Sequence, residues 1–328
     1  MTHKQHPRGF GFTAASTADD VAEGIDLSGR NIVVTAGHVG LGLETTRALS
    51  KAGASVTVGS RHPDRAASAV AGLDRVDIAP LDLLDPASIE AFATRYVDSG
   101  RPLHVLINNA GIMGGELVRD SRGYEAQFAT NHLGHFQLTL GLLPALRAAQ
   151  GARVVNVSSG GHRLSDIRWD DLHFTDGYEG MVAYGQSKTA NVLFAVELDR
   201  RWEADGIRGY ALHPGIAFGT NLAPTVTDDE LRAMGILDDA GKPVIDPDRE
   251  LKTLAQAAST SVFAATSPLL ADIGGVYLKD NDVAPLGGEA SDIAFGSEPI
   301  RVGGVAPYAV DPESARRLWE LSERLLGE

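Results

Sequence analysis

The chain has 328 residues, 43% of them hydrophobic and 22% charged, which is typical of a folded protein with one large domain or two small ones. It contains no cysteine, which excludes a disulfide framework, a thiolate metal site and a cysteine nucleophile. Its 29 Lys and Arg residues stand against 43 Asp and Glu residues, and the formal charge of −14 disfavours binding to nucleic acid or to an anionic membrane.

The chain begins with a predicted loose tail over residues 1–16, followed by a short helix that Ser16 and Thr17 cap ahead of Asp19 and Asp20. Continuous apolar runs bounded by turn residues then predict strands that are buried on both faces. These strands are 31–35, 55–59, 76–81, 103–107, 153–157 and 208–212, with 276–278 as a candidate seventh.

Helical patterns separate the strands. The predicted helices are 42–52, 62–73, one that begins at Pro86 behind the cap Asp85, 124–146 and 183–204. Strands that alternate with helices predict an α/β fold, a doubly wound parallel sheet with helices on both faces. Because no linker divides the chain, we expect residues 26–328 to form a single domain behind the N-terminal tail and short helix of residues 1–25.

A glycine-rich turn joins the first strand to the first long helix, over residues 35–42. Gly40 and Gly42 remove side chains where the backbone would approach a pyrophosphate, and the helix behind them offers unpaired N–H groups to that anion. A glycine-rich turn alone is weak support, but its place between a buried strand and a helix is the context that the motif requires. The sequence therefore predicts nucleotide binding.

Four motifs together resemble the short-chain dehydrogenases/reductases in order and approximate spacing. They are Thr35 with Gly40 and Gly42, the run 108–111 (NNAG), the run 184–188 (YGQSK) and the run 213–215 (HPG). Within that family, the chain is most similar to the retinol-dehydrogenase and protochlorophyllide-reductase branch, which has a long segment between its serine and its tyrosine, here Ser159 and Tyr184. The resemblance implies a Rossmann fold, a nicotinamide cofactor and a hydride transfer.

One position departs from the family pattern. Ala36 stands where the first glycine of the motif belongs, and Gly37 follows it. We expect either that the methyl group crowds the loop or that Gly37 takes over the special backbone angle.

The end of the second strand favours NADP over NAD. No acid occupies residues 59–62 to bind a ribose 2′-hydroxyl, whereas Arg61 can pair with a 2′-phosphate. A solvated surface arginine is the alternative. With the family resemblance, the predicted cofactor-binding residues are Gly37, Gly40, Leu41, Gly42, Ser60, Arg61, Asp82, Leu83, Asn108, Ala110, Gly111, Tyr184, Lys188, Pro214, Gly215 and Thr220.

Tyr184 and Lys188 are four residues apart, which places them side by side on one face of a helix. A neighbouring ammonium lowers the pKa of a phenol toward working pH, so the pair can exchange a proton with a carbonyl or alcohol oxygen. The resemblance adds Ser159, with Ser158 as the alternative, as the hydroxyl that binds the substrate oxygen. It also adds Asn131 as the residue that holds a water in the proton relay.

Two segments are predicted to shape the substrate site, an insert near 160–182 and a lid near 216–250. Trp169, Phe174 and Tyr178 of the insert either form a substrate wall or pack the insert itself. The stretch 221–246 suits either an amphipathic lid helix or a simple surface helix. His132, His135 and His162 lack a companion acid at ligand spacing, and we expect packing roles and no metal.

These features predict an NADP(H)-preferring oxidoreductase, with NAD(H) as the alternative cofactor, that acts on an apolar, fairly bulky carbonyl or alcohol. Alternatives are a nucleotide-binding sensor or scaffold without turnover, a lyase or epimerase, and a C=C reductase. The family suggests a homodimer or homotetramer through the long helices, or a monomer if the C-terminal part covers them. No apolar run reaches the roughly 20 residues of a membrane span, so we expect a cytoplasmic protein.

Overall fold

The computed structural model of the protein describes residues 4–220, 222, 227–287 and 303–327. Within these residues the central sheet has eight strands, in the order β10-β9-β6-β5-β4-β1-β2-β3. Its strands are β1 Asn31–Thr35, β2 Ser55–Ser60, β3 Val76–Pro80, β4 Val105–Asn108, β5 Ala152–Val157, β6 Ile207–His213, β9 Val276–Lys279 and β10 Asp282–Val283. All neighbours are parallel except β9 and β10, so the predicted doubly wound α/β sheet is confirmed.

Helices cover both faces of this sheet. The described residues form the helices α1 Ala18–Ala22, α2 Gly40–Lys51, α3 Pro63–Val70, α4 Pro86–Asp98, α5 Ala126–Phe128, α6 Gly134–Gly141, α7 Leu143–Ala148, α8 Gly180–Trp202, α9 Asp228–Ala233, α10 Leu254–Thr266 and α11 Pro312–Leu326. One face packs against α1, α2 and α10, and the other packs against α4, α6, α7, α8 and α11.

Strand β1 shows why apolar runs in the sequence predict the central strands of this sheet. Ile32, Val33 and Val34 are all inaccessible to solvent. Ile32 and Val34 belong to the core on one face of the sheet, whereas Val33 belongs to the core on the other face. Burying such a side chain stabilises the fold by about 1.5–3 kcal/mol. A strand sandwiched in this way must be apolar at every position, because successive side chains point to opposite faces.

The long helix predicted over 124–146 is broken into pieces. A π-helical turn at Ala129–Leu133 separates α5 from α6, and Pro144 lies in the first turn of α7. π-turns inside α-helices often occur at functional sites, and this one carries Asn131. Gly134 follows directly, where a Cβ atom would lie 2.4 Å from the Leu83 carbonyl oxygen.

The N-terminal segment is not the predicted loose tail. Gln5 is buried, and its amide bonds both polar backbone groups of Tyr277 as well as the carbonyl of Ala284. Phe10 and Phe12 pack on the Phe263 ring of α10. The segment is held because it supplies hydrogen-bond partners and apolar rings to elements more than 240 residues away in sequence, which no local pattern reveals.

Helix α11 was not among the predicted elements. Asp311 caps it, and Trp319 packs edge-on against Phe136, with ring centroids 4.9 Å apart. The Trp319 ring also contacts Phe194 and Trp202 of α8. Helix α8 is therefore covered on one side by the chain's own C-terminal part.

Candidate active site

The sequence motifs meet at one edge of the sheet. The glycine loop follows β1, the NNAG corner follows β4, Ser159 follows β5 and the Pro-Gly turn follows β6. These four strands are adjacent in the sheet and parallel, so their carboxyl ends lie side by side. Ligands of doubly wound sheets bind at this edge.

In the glycine loop, Ala36 itself adopts the left-handed conformation, with a φ of 52°. The expectation that Gly37 takes over this angle is wrong, because Gly37 is not among the residues of positive φ. Gly37 is required for space instead, since a Cβ there would lie 2.7 Å from Thr46 Oγ1 and 3.0 Å from Val58 Cγ2. The Ala36 methyl group therefore fits into the loop, but the left-handed conformation strains the backbone of this residue.

The start of α2 fits a pyrophosphate. No side chain caps this helix end, and its first turn holds no acidic residue, so its N–H groups and dipole remain available to an anion. Gly40 has a φ of 50°, and a Cβ on it would lie 3.4 Å from Thr220. Leu41 is half-buried beside it, and Gly42 lies so close to the Ala36 carbonyl that a Cβ would be 2.4 Å away. Thr220, predicted as a cofactor contact, thus lies beside the glycine loop.

Basic side chains surround the end of β2. Arg61 is exposed, and Ser60 Oγ accepts a hydrogen bond from the His62 backbone and lies 3.4 Å from His38 Nε2. The pKa of His38 is lowered by burial and by the nearby positive charges of Arg65 and His62. This cluster can attract a phosphate group.

The residues after β3 are ordered by local bonds. Asp82 accepts a hydrogen bond from the Leu84 backbone, and its own N–H donates to Ser88 Oγ. Leu83 is buried against Gly134 of α6. Asp82, a predicted cofactor contact, is half-buried, while the Leu83 side chain belongs to the core.

Thr35 ties the NNAG corner to β1. Its hydroxyl accepts from the backbone N–H groups of Asn109 and Ala110 and lies 2.9 Å from His135 Nε2. The Asn108 side chain turns into the core and donates to Asn156 Oδ1 at 2.8 Å. Only the Asn108 backbone is therefore left for the predicted cofactor contact.

The two serines after β5 have different roles. Ser158 is buried and donates to the Lys188 carbonyl at 2.7 Å. Ser159 accepts from the Gly161 backbone at 3.0 Å, and its hydroxyl lies beside Tyr184: a Cβ on Gly161 would be 3.4 Å from Ser159 Oγ and 2.8 Å from Tyr184 Cε1. The side chain next to the tyrosine is thus that of Ser159, the first choice of the sequence analysis.

Tyr184 and Lys188 lie on α8 as their spacing predicts, with Lys188 Nζ 5.5 Å from the centre of the Tyr184 ring. The structure contradicts the predicted lowering of the pKa of the Tyr184 phenol. Burial raises the pKa of Tyr184 to about 12, against a lowering contribution from Ser159. Burial also lowers the pKa of Lys188 to about 7, which weakens its charge at neutral pH. Desolvation outweighs the pairing because water reaches neither group.

Asn131 holds the chain beyond the NNAG corner. Its Oδ1 accepts from the Ile112 N–H at 2.9 Å, and its Nδ2 donates to the Ile112 carbonyl and to Ser187 Oγ. A Cβ on Gly111 would lie 3.3 Å from Asn131 Oδ1 and 3.4 Å from Lys188 Nζ. Asn131, Lys188 and Gly111 therefore meet at one point.

The Pro-Gly turn after β6 is supported by residues that sequence reasoning missed. Gly215 has a φ of 88°, and a Cβ there would lie 2.8 Å from the Lys252 side chain. Strands β7 Ile216–Ala217 and β8 Leu251–Lys252 pair into a second small sheet beside Pro214. Glu250 precedes β8, and these two-residue strands are too short to leave a hydrophobic pattern.

Of the insert aromatics, Phe174 packs within the insert and Trp169 packs against α11. Phe174 is buried against the Tyr178 ring, and Trp169 stacks under the Arg317 guanidinium at 4.1 Å. Tyr178 is half-buried and accepts from Gln127. In the lid region, α9 is an exposed six-residue helix, shorter than an amphipathic lid helix; Asn221 and residues 223–226 lie outside the described residues.

The three histidines have separate partners. His132 Nε2 lies 2.8 Å from Ser322 Oγ, His135 contacts Thr35, and His162 contacts the Ser159 carbonyl. Burial lowers the pKa of His132 and of His162 to about 3 and that of His135 to about 4, so all three are neutral. In the described ranges, no group of three or more potential ligands could hold a metal ion.

Comparison with known proteins agrees with this arrangement. The family model described as short chain dehydrogenase matches residues 30–231, which includes the glycine loop, Ser159, Tyr184 and Lys188. The chain belongs to the short-chain dehydrogenases. It is an NAD(P)-dependent oxidoreductase of that family.

Relatives support the branch as well as the family. This short-chain dehydrogenase is 46% identical over 303 residues to a Streptomyces lividans protein named "Probable oxidoreductase", with 90% of this chain and 97% of that one covered. It is 34% identical over 309 residues to mouse retinol dehydrogenase 12, with 92% and 88% covered. The predicted similarity to the retinol-dehydrogenase branch is therefore confirmed.

Solved structures have the same fold. A crystal structure of an uncharacterized protein from Mycobacterium paratuberculosis is 32% identical and has a TM-score of 0.69, over 94% of this chain and 97% of that one. The RhlG/NADP active-site complex of Pseudomonas aeruginosa is 24% identical with a TM-score of 0.58, over 77% and 95%, which shows the shared fold. In the described part of this short-chain dehydrogenase, none of the helices has the length and apolar character of a membrane span.

Proposed function

We propose that this enzyme prefers NADP(H) and transfers a hydride between the nicotinamide and a carbonyl or alcohol carbon of an apolar, fairly bulky molecule. The observation that carries the proposal is the placement of the Ser159 hydroxyl next to Tyr184, beside Lys188 at the carboxyl edge of the sheet: a Cβ on Gly161 would lie 2.8 Å from Tyr184 Cε1 and 3.4 Å from Ser159 Oγ. Two hydroxyl groups on neighbouring side chains can both bind one substrate oxygen.

Each residue then has one task. Ser159 positions the substrate oxygen, and Tyr184 gives it a proton during reduction or takes one during oxidation. The bound nicotinamide supplies or accepts the hydride. Lys188 binds the nicotinamide ribose and, while charged, stabilises the phenolate that forms. Asn131 and Lys188 meet beside Gly111, where a water held by Asn131 would carry protons onward.

The pKa values favour reduction at neutral pH. With a pKa of about 12, Tyr184 carries its proton throughout the working range and is ready to donate it. With a pKa of about 7, Lys188 is charged mainly below neutrality, where its charge favours the departure of that proton. We expect the rate of carbonyl reduction to fall as the pH rises above about 7.

NADP preference is supported by the positive charges of Arg61 and Arg65 near the end of β2. A 2′-phosphate would gain the charge-assisted bonds that a hydroxyl cannot make. The RhlG structure named as an NADP complex shares this fold. We expect Arg61→Ala to weaken NADPH binding by about tenfold and to leave NADH binding nearly unchanged.

Titration of both cofactors by fluorescence measures this difference. Arg95→Ala removes an exposed arginine of α4, away from the end of β2, and is the control. Equal loss of affinity for both cofactors would contradict a role of Arg61 at the 2′-phosphate.

An apolar substrate is supported by the loops that follow β4 and β6. Val118 and Phe218 are 58% and 44% exposed, so each of these loops offers an apolar side chain to a substrate. Leu222 reaches to within 3.7 Å of where a Cβ on Gly111 would lie, and Met181 to within 4.0 Å of one on Gly114. One relative is named for retinol, itself a bulky apolar alcohol. We assign the wall and the cover of the site to the insert 160–182 and the lid 216–250.

The test is consumption of NADPH and NADH over a panel of ketones and aldehydes, with Tyr184→Phe as the control. We expect turnover of long-chain or cyclic apolar carbonyls with NADPH, and a loss of about 10²- to 10⁴-fold in Tyr184→Phe. A panel in which only small polar sugars react would contradict the substrate class. Unchanged turnover in Tyr184→Phe would contradict the assigned proton donor.

A further inference from the structure

The peptide unit that joins Ser159 to Gly160 is bonded at both of its polar ends by buried side chains. Its carbonyl accepts from His162 Nδ1 at 2.6 Å and from the Tyr277 hydroxyl at 3.2 Å. Its N–H donates to His213 Nδ1 at 2.9 Å. We call His162, His213 and Tyr277 the peptide clamp. These three residues come from the turn after Ser159, from β6 and from β9.

The two histidines of the clamp are held in opposite tautomers. His162 Nε2 accepts from the Ala306 N–H at 3.1 Å, so the proton of its neutral ring is on Nδ1, where it donates to the Ser159 carbonyl. His213 Nδ1 must accept from Gly160, so its proton is on Nε2. The Nδ1 of His162 is therefore a donor to the peptide carbonyl, and the Nδ1 of His213 is an acceptor from the peptide N–H.

A buried carboxylate lies next to the other nitrogen of the His213 ring. Glu250 Oε2 lies 3.2 Å from His213 Nε2, and the other carboxylate oxygen pairs with Lys279. These partners hold the pKa of Glu250 down to about 2 although burial opposes its charge. The backbone of Glu250 has a φ of 69°, an uncommon angle for a non-glycine residue. Such outliers persist where the surroundings require them, and here the angle coincides with the contact to His213.

The peptide clamp acts on Ser159, whose hydroxyl must point toward the substrate oxygen. Ser159 is in extended backbone, with φ −164° and ψ 160°, directly before the turn that holds His162. Rotation of the 159–160 peptide would change the ψ angle of Ser159 and break bonds at both ends. Ser158, one residue earlier, is held by a bond of its own side chain to Lys188, so the clamp is specific to the Ser159–Gly160 unit.

We propose that His213 and His162, with Tyr277 and Glu250, are positioning residues that fix the Ser159 hydroxyl toward Tyr184 by locking the Ser159–Gly160 peptide. The proposal rests on the role of Ser159 proposed above. His213 touches neither substrate nor cofactor in this assignment and acts only through the peptide.

The test is a double-mutant cycle between His213→Leu and Ser159→Ala, read as kcat with the best carbonyl substrate. His213→Leu removes the acceptor, and we expect kcat to fall by about 10²-fold, the cost of a misplaced reacting group. In the Ser159→Ala background the same change should cost less than about twofold, because no hydroxyl remains to be positioned. NADPH affinity, measured by fluorescence, should stay within about twofold in all variants because no proposed cofactor contact is removed.

Two milder variants protect the test against misfolding. His213→Asn keeps an acceptor near the Nδ1 position, and we expect it to recover most of kcat. Tyr277→Phe removes one of two donors to the carbonyl, and a loss of only a few-fold should follow. A melting temperature within a few degrees of wild type shows that each variant is folded. Equal losses from His213→Leu in both backgrounds would overturn the proposal, as would equal kcat values for His213→Leu and wild type.

A readout without activity separates this proposal from the enzymatic one. Nitrogen-15 NMR of the histidine rings distinguishes the two tautomers, and we expect a protonated Nδ1 in His162 and a protonated Nε2 in His213. A wild-type enzyme inactive on every carbonyl would overturn the proposed function, while opposite tautomers would still support the clamp. The same tautomer in both rings would overturn the clamp, whatever the activity.

Discussion

The glycine loop after β1 and the serine turn after β5 lie at the same edge of the sheet and are built in opposite ways. The glycine loop has glycines at Gly37, Gly40 and Gly42, and the helix behind it has no side-chain cap. The serine turn is surrounded by side chains, and both ends of the 159–160 peptide are bonded. A loop that binds a phosphate must leave its N–H groups unpaired, whereas a turn that presents one hydroxyl must allow it one orientation.

The largest expected effect separates the two neighbouring serines. Ser159→Ala should lower kcat by about 10²- to 10³-fold, because a donor to the reacting oxygen is lost. Ser158→Ala removes a buried bond to the Lys188 carbonyl, and it should cost about 1 kcal/mol of unfolding free energy with a smaller loss of kcat. Steady-state kinetics and urea denaturation of both variants measure this contrast. The reverse ranking of the kcat losses would show that the hydroxyl was assigned to the wrong serine.

Lys188 is buried between Gly111 and the Val157 carbonyl, and its burial should appear in the pH dependence of stability. Its pKa is about 7 in the folded protein against 10.5 for an ordinary lysine. Between these values the unfolded chain binds more protons, so this group makes the wild type more stable as the pH rises. The advantage of Lys188→Met in unfolding free energy should therefore shrink from pH 7 to 9, by at most about 1.4 kcal/mol per pH unit.

Denaturant unfolding at several pH values measures this slope. Lys242→Met changes an exposed lysine and is the control. Parallel stability curves for Lys188→Met and wild type would mean that Lys188 keeps its charge in the folded protein.

A methyl group at Gly42 should disrupt the glycine loop from within. A Cβ there would lie 2.4 Å from the Ala36 carbonyl oxygen and 2.6 Å from Asn109 Nδ2. We expect Gly42→Ala to cost about 1–3 kcal/mol of unfolding free energy and to weaken cofactor binding. Gly40→Ala adds the same methyl where the nearest Thr220 atoms are 3.4 Å away, and its cost should be about 1 kcal/mol from the positive φ alone. Thermal unfolding with and without NADPH compares them, and equal losses would contradict the close packing at Gly42.

The smallest effect should be a gain. Ala36 has a φ of 52°, so Ala36→Gly should relieve strain and raise the unfolding free energy by about 1 kcal/mol, less the entropy that glycine adds to the unfolded chain. Chemical denaturation measures the difference. A loss of stability would mean that the methyl group makes packing contacts that outweigh its backbone strain.

Much of the fold could be predicted because the strands of this sheet are buried on both faces. A run such as Ile32 to Val34 is apolar for a reason that holds at each residue, so the pattern is local and visible. Strands β7, β8 and β10 have two residues each and carry no such pattern. Helix α11 does carry a local signal, the cap Asp311 followed by Pro312.

Some features of the candidate site could likewise be predicted from the sequence, and others could not. Tyr184 and Lys188 could be found because one helical turn joins them in sequence and in space. The pKa of the Tyr184 phenol could not be predicted, because it depends on burial by the whole fold. The contacts of His213 with Gly160 and of Tyr277 with Ser159 join residues 53 and 118 positions apart, and no spacing rule predicts them.

The side chain of Gln5 has a consequence for the serine turn, far from it in sequence. Its amide bonds both polar backbone groups of Tyr277 in β9 and the Ala284 carbonyl after β10, so it completes the hydrogen bonding where the two-residue β10 ends. The hydroxyl of the same tyrosine donates to the Ser159 carbonyl. Removing Gln5 would therefore take the acceptor from the N–H of the residue that holds the serine turn from behind.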